Sequence, residues 1–246
     1  MNKILIKKKN YKNFFNIIIK NLNYKKNDFI KNVLFNIKNN KVSFISEYKR
    51  QSPYKGMYIN NIKKIIKKYE ILGSICLSLL NECIHFKCNF YDFFYIKKHT
   101  NLLILRKDFI FNILHLIHSF LIGYDVLLIL SSLNLLIIKN IYIISKKLKI
   151  IIIIEIHNLK ELEKIQNIKP IFLGINCRNL KNLIINNKQN NLFKKLPNNC
   201  IIISESGLNL FNNIKFFIDN NIRVFLIGDY FLNNFNFFKK IFNLLN

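Results

Sequence analysis

Short, almost unbroken apolar runs alternate along the chain with longer segments in which apolar residues recur every three or four positions. The short runs predict strands at 42–47, 74–79, 102–105, 125–130, 150–155, 171–175, 201–204 and 224–227. The longer segments predict helices near 62–71, 91–98, 112–121, 133–147, 159–168, 189–195, 210–220 and 231–245. Strands that are apolar throughout are expected of parallel strands covered on both faces. Eight β-then-α units in succession predict the α/β class and a closed (β/α)8 TIM barrel in preference to an open doubly wound sheet. The 246 residues match the roughly 250 of such a barrel. Residues 1–41 precede the first strand and contain helix-like stretches at 11–19 and 28–37. The expectation is therefore one domain over 1–246, with a helical N-terminal extension (1–41) on a barrel (42–246).

Composition changes this picture little. With 51% hydrophobic and 21% charged residues, the chain has the apolar content to bury a large core. Its apolar runs are broken by charge well before the ~18 to 20 residues that span a bilayer. The basic start, Met1 to Asn10, lacks a following apolar stretch of the signal-peptide kind, so a cytoplasmic chain without membrane contact is expected. Thirty-nine Lys+Arg against 13 Asp+Glu leave a formal charge of +26, which ordinarily points to nucleic acid. Here the excess is nearly all Lys, spread along the chain with abundant Asn, Ile, Phe and Tyr. All of these have A/T-rich codons, so base-composition bias is the cheaper explanation and nucleic acid is not the expected partner. In such a chain a Lys or Asn carries little information, and a Gly, Arg, Pro or carboxylate carries more. Cys76, Cys83, Cys88, Cys177 and Cys200 form no C-x-x-C pair, which makes a disulfide framework or a zinc site unexpected. His115 and His118 share a helix face but lack a third ligand, so no metal is expected.

The scarce residues fall in a pattern. Barrels of this kind build their active sites at the C-terminal strand ends. Glu47, Glu155 and Glu205 sit at the ends of the first, fifth and seventh strands, and Lys107-Asp108 just after the third. Gly174, Asn176 and Arg178 mark the sixth, Ser206-Gly207 the seventh and Gly228-Asp229 the eighth. Charges also collect at strand ends simply because interiors exclude them, but the opposite ends carry mostly Lys and Asn. Gly207 and Gly228 follow the adjacent seventh and eighth strands, where such barrels bind phosphate through backbone N–H groups, so a phosphorylated substrate is expected. Lys49 and Lys107, read as lying on facing strands with Glu47 and Glu155 nearby, would supply acid–base chemistry without a metal.

The residues also resemble a family. Ser46-Glu47-Tyr48-Lys49-Arg50-Gln51-Ser52-Pro53-Tyr54-Lys55-Gly56 is similar to the first-strand signature E-x-K-R-x-S-P-S of indole-3-glycerol phosphate synthase. Leu105-Arg106-Lys107-Asp108-Phe109-Ile110 resembles the third-strand motif, Glu155-Ile156-His157 the fifth and Gly174-Ile175-Asn176-Cys177-Arg178-Asn179-Leu180 the sixth. Ser204-Glu205-Ser206-Gly207-Leu208 and Phe225-Leu226-Ile227-Gly228 resemble the seventh and eighth. All occur in family order and at family spacing. The resemblance implies a TIM barrel with an N-terminal extension, acting in tryptophan biosynthesis. The reaction converts 1-(2-carboxyphenylamino)-1-deoxyribulose 5-phosphate to indole-3-glycerol phosphate, releasing CO2 and water, with no cofactor.

The resemblance also implies roles. Lys107 would be the general acid, Glu155 and Lys49 would move protons in the dehydration, and Glu47 would orient the lysine. Ser52, Phe109, Asn176, Arg178, Glu205 and Ser206 would bind substrate, with Phe109 facing its aromatic ring. Gly207, Gly228 and Lys49 would hold the phosphate; on electrostatic grounds, apart from the resemblance, the Asp229 backbone N–H at the start of the final helix is expected to face it too, with the carboxylate directed outward. Contact with other tryptophan-pathway enzymes is left open. Three positions depart from the family: Tyr54 stands where many members have Ser, Phe86-Lys87-Cys88 replaces a glycine-containing stretch, and Asp229 follows Gly228. Phosphoribosylanthranilate isomerases share barrel and phosphate site but do not need the E-x-K-R-x-S-P or R-K-D-F segments. A degenerate, inactive remnant would not be expected to keep every catalytic position filled.

Overall fold

The computed structural model of the chain describes residues 28–52, 56–58, 61–176, 192, 195–205, 211–228 and 234–245. Eight parallel strands close into a barrel: β1 (Ser43–Tyr48), β2 (Cys76–Leu80), β3 (Leu103–Lys107), β4 (Val126–Leu130), β5 (Ile151–Ile156), β6 (Phe172–Asn176), β7 (Ile201–Glu205) and β8 (Val224–Ile227). Each pairs with its sequence neighbour, and β8 returns to β1 with Ser43 opposite Val224. The helices are α1 (Phe29–Lys38), α2 (Ile62–Ile71), α3 (Tyr91–His99), α4 (Ile113–Ile122), α5 (Leu135–Leu148), α6 (Leu159–Ile165, continued by the 3₁₀ turn Gln166–Ile168), α7 (Phe211–Asp219) and α8 (Phe235–Leu245). All eight expected strands are present, displaced by at most two residues. The helix expected at 11–19 and most of the one at 189–195 fall outside the described residues, and the last helix is described from Phe235.

Two apolar layers hold the barrel. The outer one lies between sheet and helices and includes Phe44, Leu77, Leu127, Ile154 and Phe225. The inner one fills the barrel itself with Ile45, Cys76, Leu105, Val126, Leu128, Ile153, Phe172, Ile203, Val224 and Leu226. Because side chains alternate faces along a strand, those residues define which positions point inward. Phe29 and Val33 of α1, both fully buried, belong to the same inner layer, and Phe29 meets Phe172 edge to face at 5.1 Å. α1 therefore plugs the N-terminal end of the barrel, where burying a side chain the size of Phe29 contributes about 2 to 3 kcal/mol. The opposite mouth is left for polar groups.

The compositional bias is visible in the helix ends. Asn61, Asn112, Asn134 and Asn158 each cap a helix N-terminus by accepting a backbone N–H at N2 or N3. At C-termini, where glycine is the usual left-handed residue, α2 is followed by Gly73 at φ 68° and α4 by Gly123 at φ 103°. Lys149 (φ 55°) and Lys169 (φ 50°) take that conformation after α5 and the 3₁₀ turn. Lys87, in the stretch where the family carries glycine, is likewise left-handed at φ 51°. At these three positions a lysine holds a backbone conformation that glycine adopts more readily. Among the described residues no helix is long and apolar enough to cross a membrane.

Candidate active site

The inward parity of the strands selects the site. Two residues beyond the inward Ile45, Leu105, Ile153 and Ile203 come Glu47, Lys107, Glu155 and Glu205. Gly174 and Asn176 follow Phe172 at the same spacing, and Gly228 lies two beyond Leu226. Apart from Gly174, one inward position below Asn176, each of these is at the last inward position of its strand or just past it, so together they form one polar layer on top of the apolar filling. Glu47, Lys49, Glu155 and Glu205 are all nearly or fully buried.

The layer is organised around Lys107. Its Nζ lies 3.2 Å from Glu47 Oε2 and 3.2 Å from Glu205 Oε2. Glu47 also accepts from Lys49 Nζ at 2.9 Å through Oε1, and its backbone carbonyl takes the Tyr69 hydroxyl at 2.5 Å. Lys107 ends β3 and Lys49 follows β1, so the two lysines are separated by β2 and do not lie on facing strands; Glu47 bridges them. A solvated role for Lys49 is excluded by its burial. Glu155 Oε1 accepts from Asn176 Nδ2 at 2.7 Å and faces His157 Nε2 at 3.1 Å. Gly174 gives Glu205 its place: a Cβ there would collide with Glu205 Oε1 and come 3.3 Å from Ile153 Cγ2. A Cβ on Gly228 would come 2.8 Å from Glu47 Oε1.

The electrostatics follow from this crowding. Burial alone would raise the Glu47 carboxyl, but the two lysines outweigh it and hold its pKa at about 2. Burial would strip Lys107 of its proton, yet Glu47, Glu205 and Glu155 together drive its pKa far upward, so the ammonium persists. Glu205 is shifted upward although it is paired with Lys107, because it is fully buried, shares that lysine with Glu47 and feels Glu155 and Glu47 nearby. Among the described residues its Oε1 has no hydrogen-bond partner.

Supporting contacts lie one layer out, and sequence reasoning missed them. Arg106, neighbour of Lys107 with outward parity, donates to Asp108 Oδ2 at 2.6 and 3.1 Å and to Ser119 Oγ at 2.8 Å; Asp108 Oδ1 in turn accepts the Phe109 N–H at 2.8 Å. This fixes the turn that carries Phe109, half exposed at the mouth and stacked on Phe111 with ring centroids 6.0 Å apart. Arg50, one residue past Lys49, forms a two-pronged pair with buried Asp92 at 2.5 and 2.6 Å. The signal available was the scarcity of Arg in this chain. Of the expected substrate and phosphate residues, Arg178, Ser206, Gly207 and Asp229 lie outside the described residues, as do Tyr54 and the Ser52 side chain. Among the described residues there is no cluster of three or more His, Cys, Asp or Glu side chains able to hold a metal ion.

Comparison with known proteins agrees with the strand-end pattern. The sequence model of the indole-3-glycerol phosphate synthase family matches residues 3–244. The indole-3-glycerol phosphate synthase of Nautilia profundicola is 30% identical over 224 residues, covering 89% of this chain and 87% of the relative. That of Prochlorococcus marinus subsp. pastoris is 32% identical over 221 residues, covering 82% and 73%. Among solved structures, 3-hexulose-6-phosphate synthase from Salmonella typhimurium superposes with a TM-score of 0.62 at 9% identity, over 83% of this chain and all of that one; this likeness concerns the fold alone. A match over nearly the whole chain, on a barrel whose last inward positions carry three carboxylates and a partly buried lysine, means that the chain belongs to the indole-3-glycerol phosphate synthase family.

Proposed function

We propose that the polar layer divides the ring-closing reaction among Lys107, Lys49, Glu155 and Glu47. As a member of its family the chain is a carboxy-lyase of tryptophan biosynthesis acting on a phosphorylated small molecule. In the first step the ring carbon bearing the carboxylate attacks the ribulose carbonyl, and Lys107 delivers a proton to the carbonyl oxygen as it becomes an alkoxide. A lysine held strongly protonated suits that task, because the alkoxide is a far stronger base than an amine and the ammonium also stabilises its developing charge. Loss of CO2 then restores the aromatic ring. In the dehydration Lys49 protonates the departing hydroxyl while Glu155 removes the proton that completes the indole, so one proton is given and one taken. Glu47 holds both lysines in place, and Asn176, Glu205, Ser52, Arg178, Ser206 and Phe109 enclose the substrate. Gly207, Gly228, the Asp229 N–H and Lys49 take the phosphate.

The observation that carries this reading is the placement of Lys107 Nζ, 3.2 Å from a carboxylate on either side and at the inward end of its strand. A fluorescence assay of indole-3-glycerol phosphate formation by purified wild type and Lys107→Ala tests it. For the remaining partners, the even spread of Lys over the chain favours a small molecule over nucleic acid, and we take the cytoplasm as the working compartment.

A further inference from the structure

His157, one residue past the end of β5, is a titratable group at the barrel mouth to which the reaction scheme gives no task. Its Nε2 lies 3.1 Å from Glu155 Oε1 and its Nδ1 lies 3.2 Å from Glu161 Oε2. A carboxylate oxygen facing each ring nitrogen requires a donor at both, and only the imidazolium supplies two. Burial opposes the charge, but the hydrogen bond to Glu155 dominates and, with Glu161, lifts the ring's pKa to about 9.

The outer carboxylate is itself anchored. Glu161 is the third residue of α6 and is tied to the N-cap Asn158 both ways, its carboxylate accepting from Asn158 Nδ2 at 3.3 Å while its own N–H binds Asn158 Oδ1 at 3.0 Å. Its Oε2 also accepts the Ser131 hydroxyl at 2.6 Å and the His157 N–H at 2.8 Å. Lys164 ties the same turn by donating to the carbonyl of Ser131 at 2.8 Å. A histidine needed only to cap α6 would be satisfied by its backbone and Nδ1. Here Nε2 is turned toward the barrel, onto the oxygen of Glu155 that Asn176 also occupies. Both contacts fall on Oε1, so Oε2 is the oxygen presented for a proton.

We propose that His157, as an imidazolium clamped between Glu155 and Glu161, is a positioning residue for ring closure: it keeps Glu155 ionised and fixes which carboxylate oxygen meets the substrate. This rests on the reading of Glu155 as a proton-transfer group. The sign of its effect follows from the neighbours. Glu155 is raised by burial and lowered by His157, Lys107 and Asn176, with a net downward shift. Glu205, Glu47 and Lys49 are the other charges of the polar layer, and Glu155 and Glu161 are the charges that face His157. Without the imidazolium, burial is less well opposed and Glu155 takes up a proton at higher pH.

The test compares wild type, His157→Gln and Glu155→Gln for kcat and KM in indole-3-glycerol phosphate formation from pH 5 to 9, with circular dichroism as a check on folding. In His157→Gln the acid limb of the kcat profile is expected to move up by about one pH unit. Turnover near pH 5 should fall about twofold to fivefold and change little above pH 7, with KM changed less than about threefold. Proton NMR titration of the His157 ring in the same wild-type protein should place it well above the ordinary ~6.5, and Glu161→Gln should bring it down. Superimposable pH profiles for wild type and His157→Gln, with Glu155→Gln inactive, would overturn the His157 proposal alone, as would a ring titrating at the ordinary value. Full activity in Glu155→Gln would instead remove Glu155 from proton transfer and the catalytic part of this proposal with it.

Discussion

Replacing Glu205 by Gln separates what the fold wants from what the chemistry wants. Among the described residues Glu205 has one cationic partner, Lys107 at 3.2 Å, which Glu47 shares at the same distance, and its Oε1 is unsatisfied against Gly174. At an effective dielectric near 20 one such pair is worth about 5 kcal/mol. Full burial of the charge offsets several kcal/mol of that, and the neighbouring carboxylates repel it further, so the ionised form is a net liability. That is why its carboxyl is raised above the ordinary range. The folded protein therefore holds a proton on Glu205 where the unfolded chain has lost it. Stability falls as pH rises from about 4.5 through the raised value and levels off above it. Gln is neutral at every pH and nearly isosteric, and Lys107 keeps Glu47. Urea unfolding should show wild type and Glu205→Gln within about 1 kcal/mol of each other at pH 5, with the variant more stable by about 1 to 3 kcal/mol at pH 8. Its turnover should drop about tenfold or more, as expected where a strained site trades stability for function. A variant less stable than wild type at pH 8, or a difference that ignores pH, would refute the charge accounting.

Three other outcomes are expected. Glu155→Gln keeps shape and deletes charge, so kcat should fall by about 10^2-fold while the thermal midpoint stays within a few degrees; loss of the fold would make Glu155 structural. Gly174→Ala forces Glu205 off its place beside Lys107 and should lower both kcat, by about tenfold or more, and stability, by about 1 to 3 kcal/mol in urea; unchanged turnover would detach Glu205 from the chemistry. Lys149→Gly relieves a left-handed lysine at the end of α5 and should stabilise by about 0.5 to 1 kcal/mol in urea unfolding, glycine's greater unfolded freedom offsetting part of the gain; a drop in stability would mean that the lysine's other contacts outweigh its backbone strain.

How much was legible in the sequence depends on the kind of signal. Strands β1 to β8 could be placed because a parallel strand covered on both faces is a continuous apolar run, and neither base-composition bias nor the loss of glycine disturbs that. Glu47, Glu155 and Glu205 stood out because carboxylates are rare here and fell at strand ends, and Lys107 stood out through Asp108 beside it at the end of the third strand. The bridging of Lys49 and Lys107 by one carboxylate was not legible, since it depends on the barrel's closure and on inward parity, which continuous apolar strands conceal. Arg50 with Asp92, and His157 with Glu161, were missed because one partner of each sits on a helix whose rotation the sequence does not show. The Asn158-x-x-Glu161 signature of a helix start could have been read directly, and it would have drawn attention to His157 just before it.

The central claim is that the ammonium of Lys107 drives ring closure at the barrel mouth. Steady-state fluorescence of indole-3-glycerol phosphate formation from 1-(2-carboxyphenylamino)-1-deoxyribulose 5-phosphate, by wild type and Lys107→Ala side by side near pH 7.5, tests it most directly. The account predicts turnover by wild type and a kcat lower by roughly 10^2-fold to 10^4-fold in the variant, with a smaller change in KM. Near-normal kcat in a folded Lys107→Ala would contradict it.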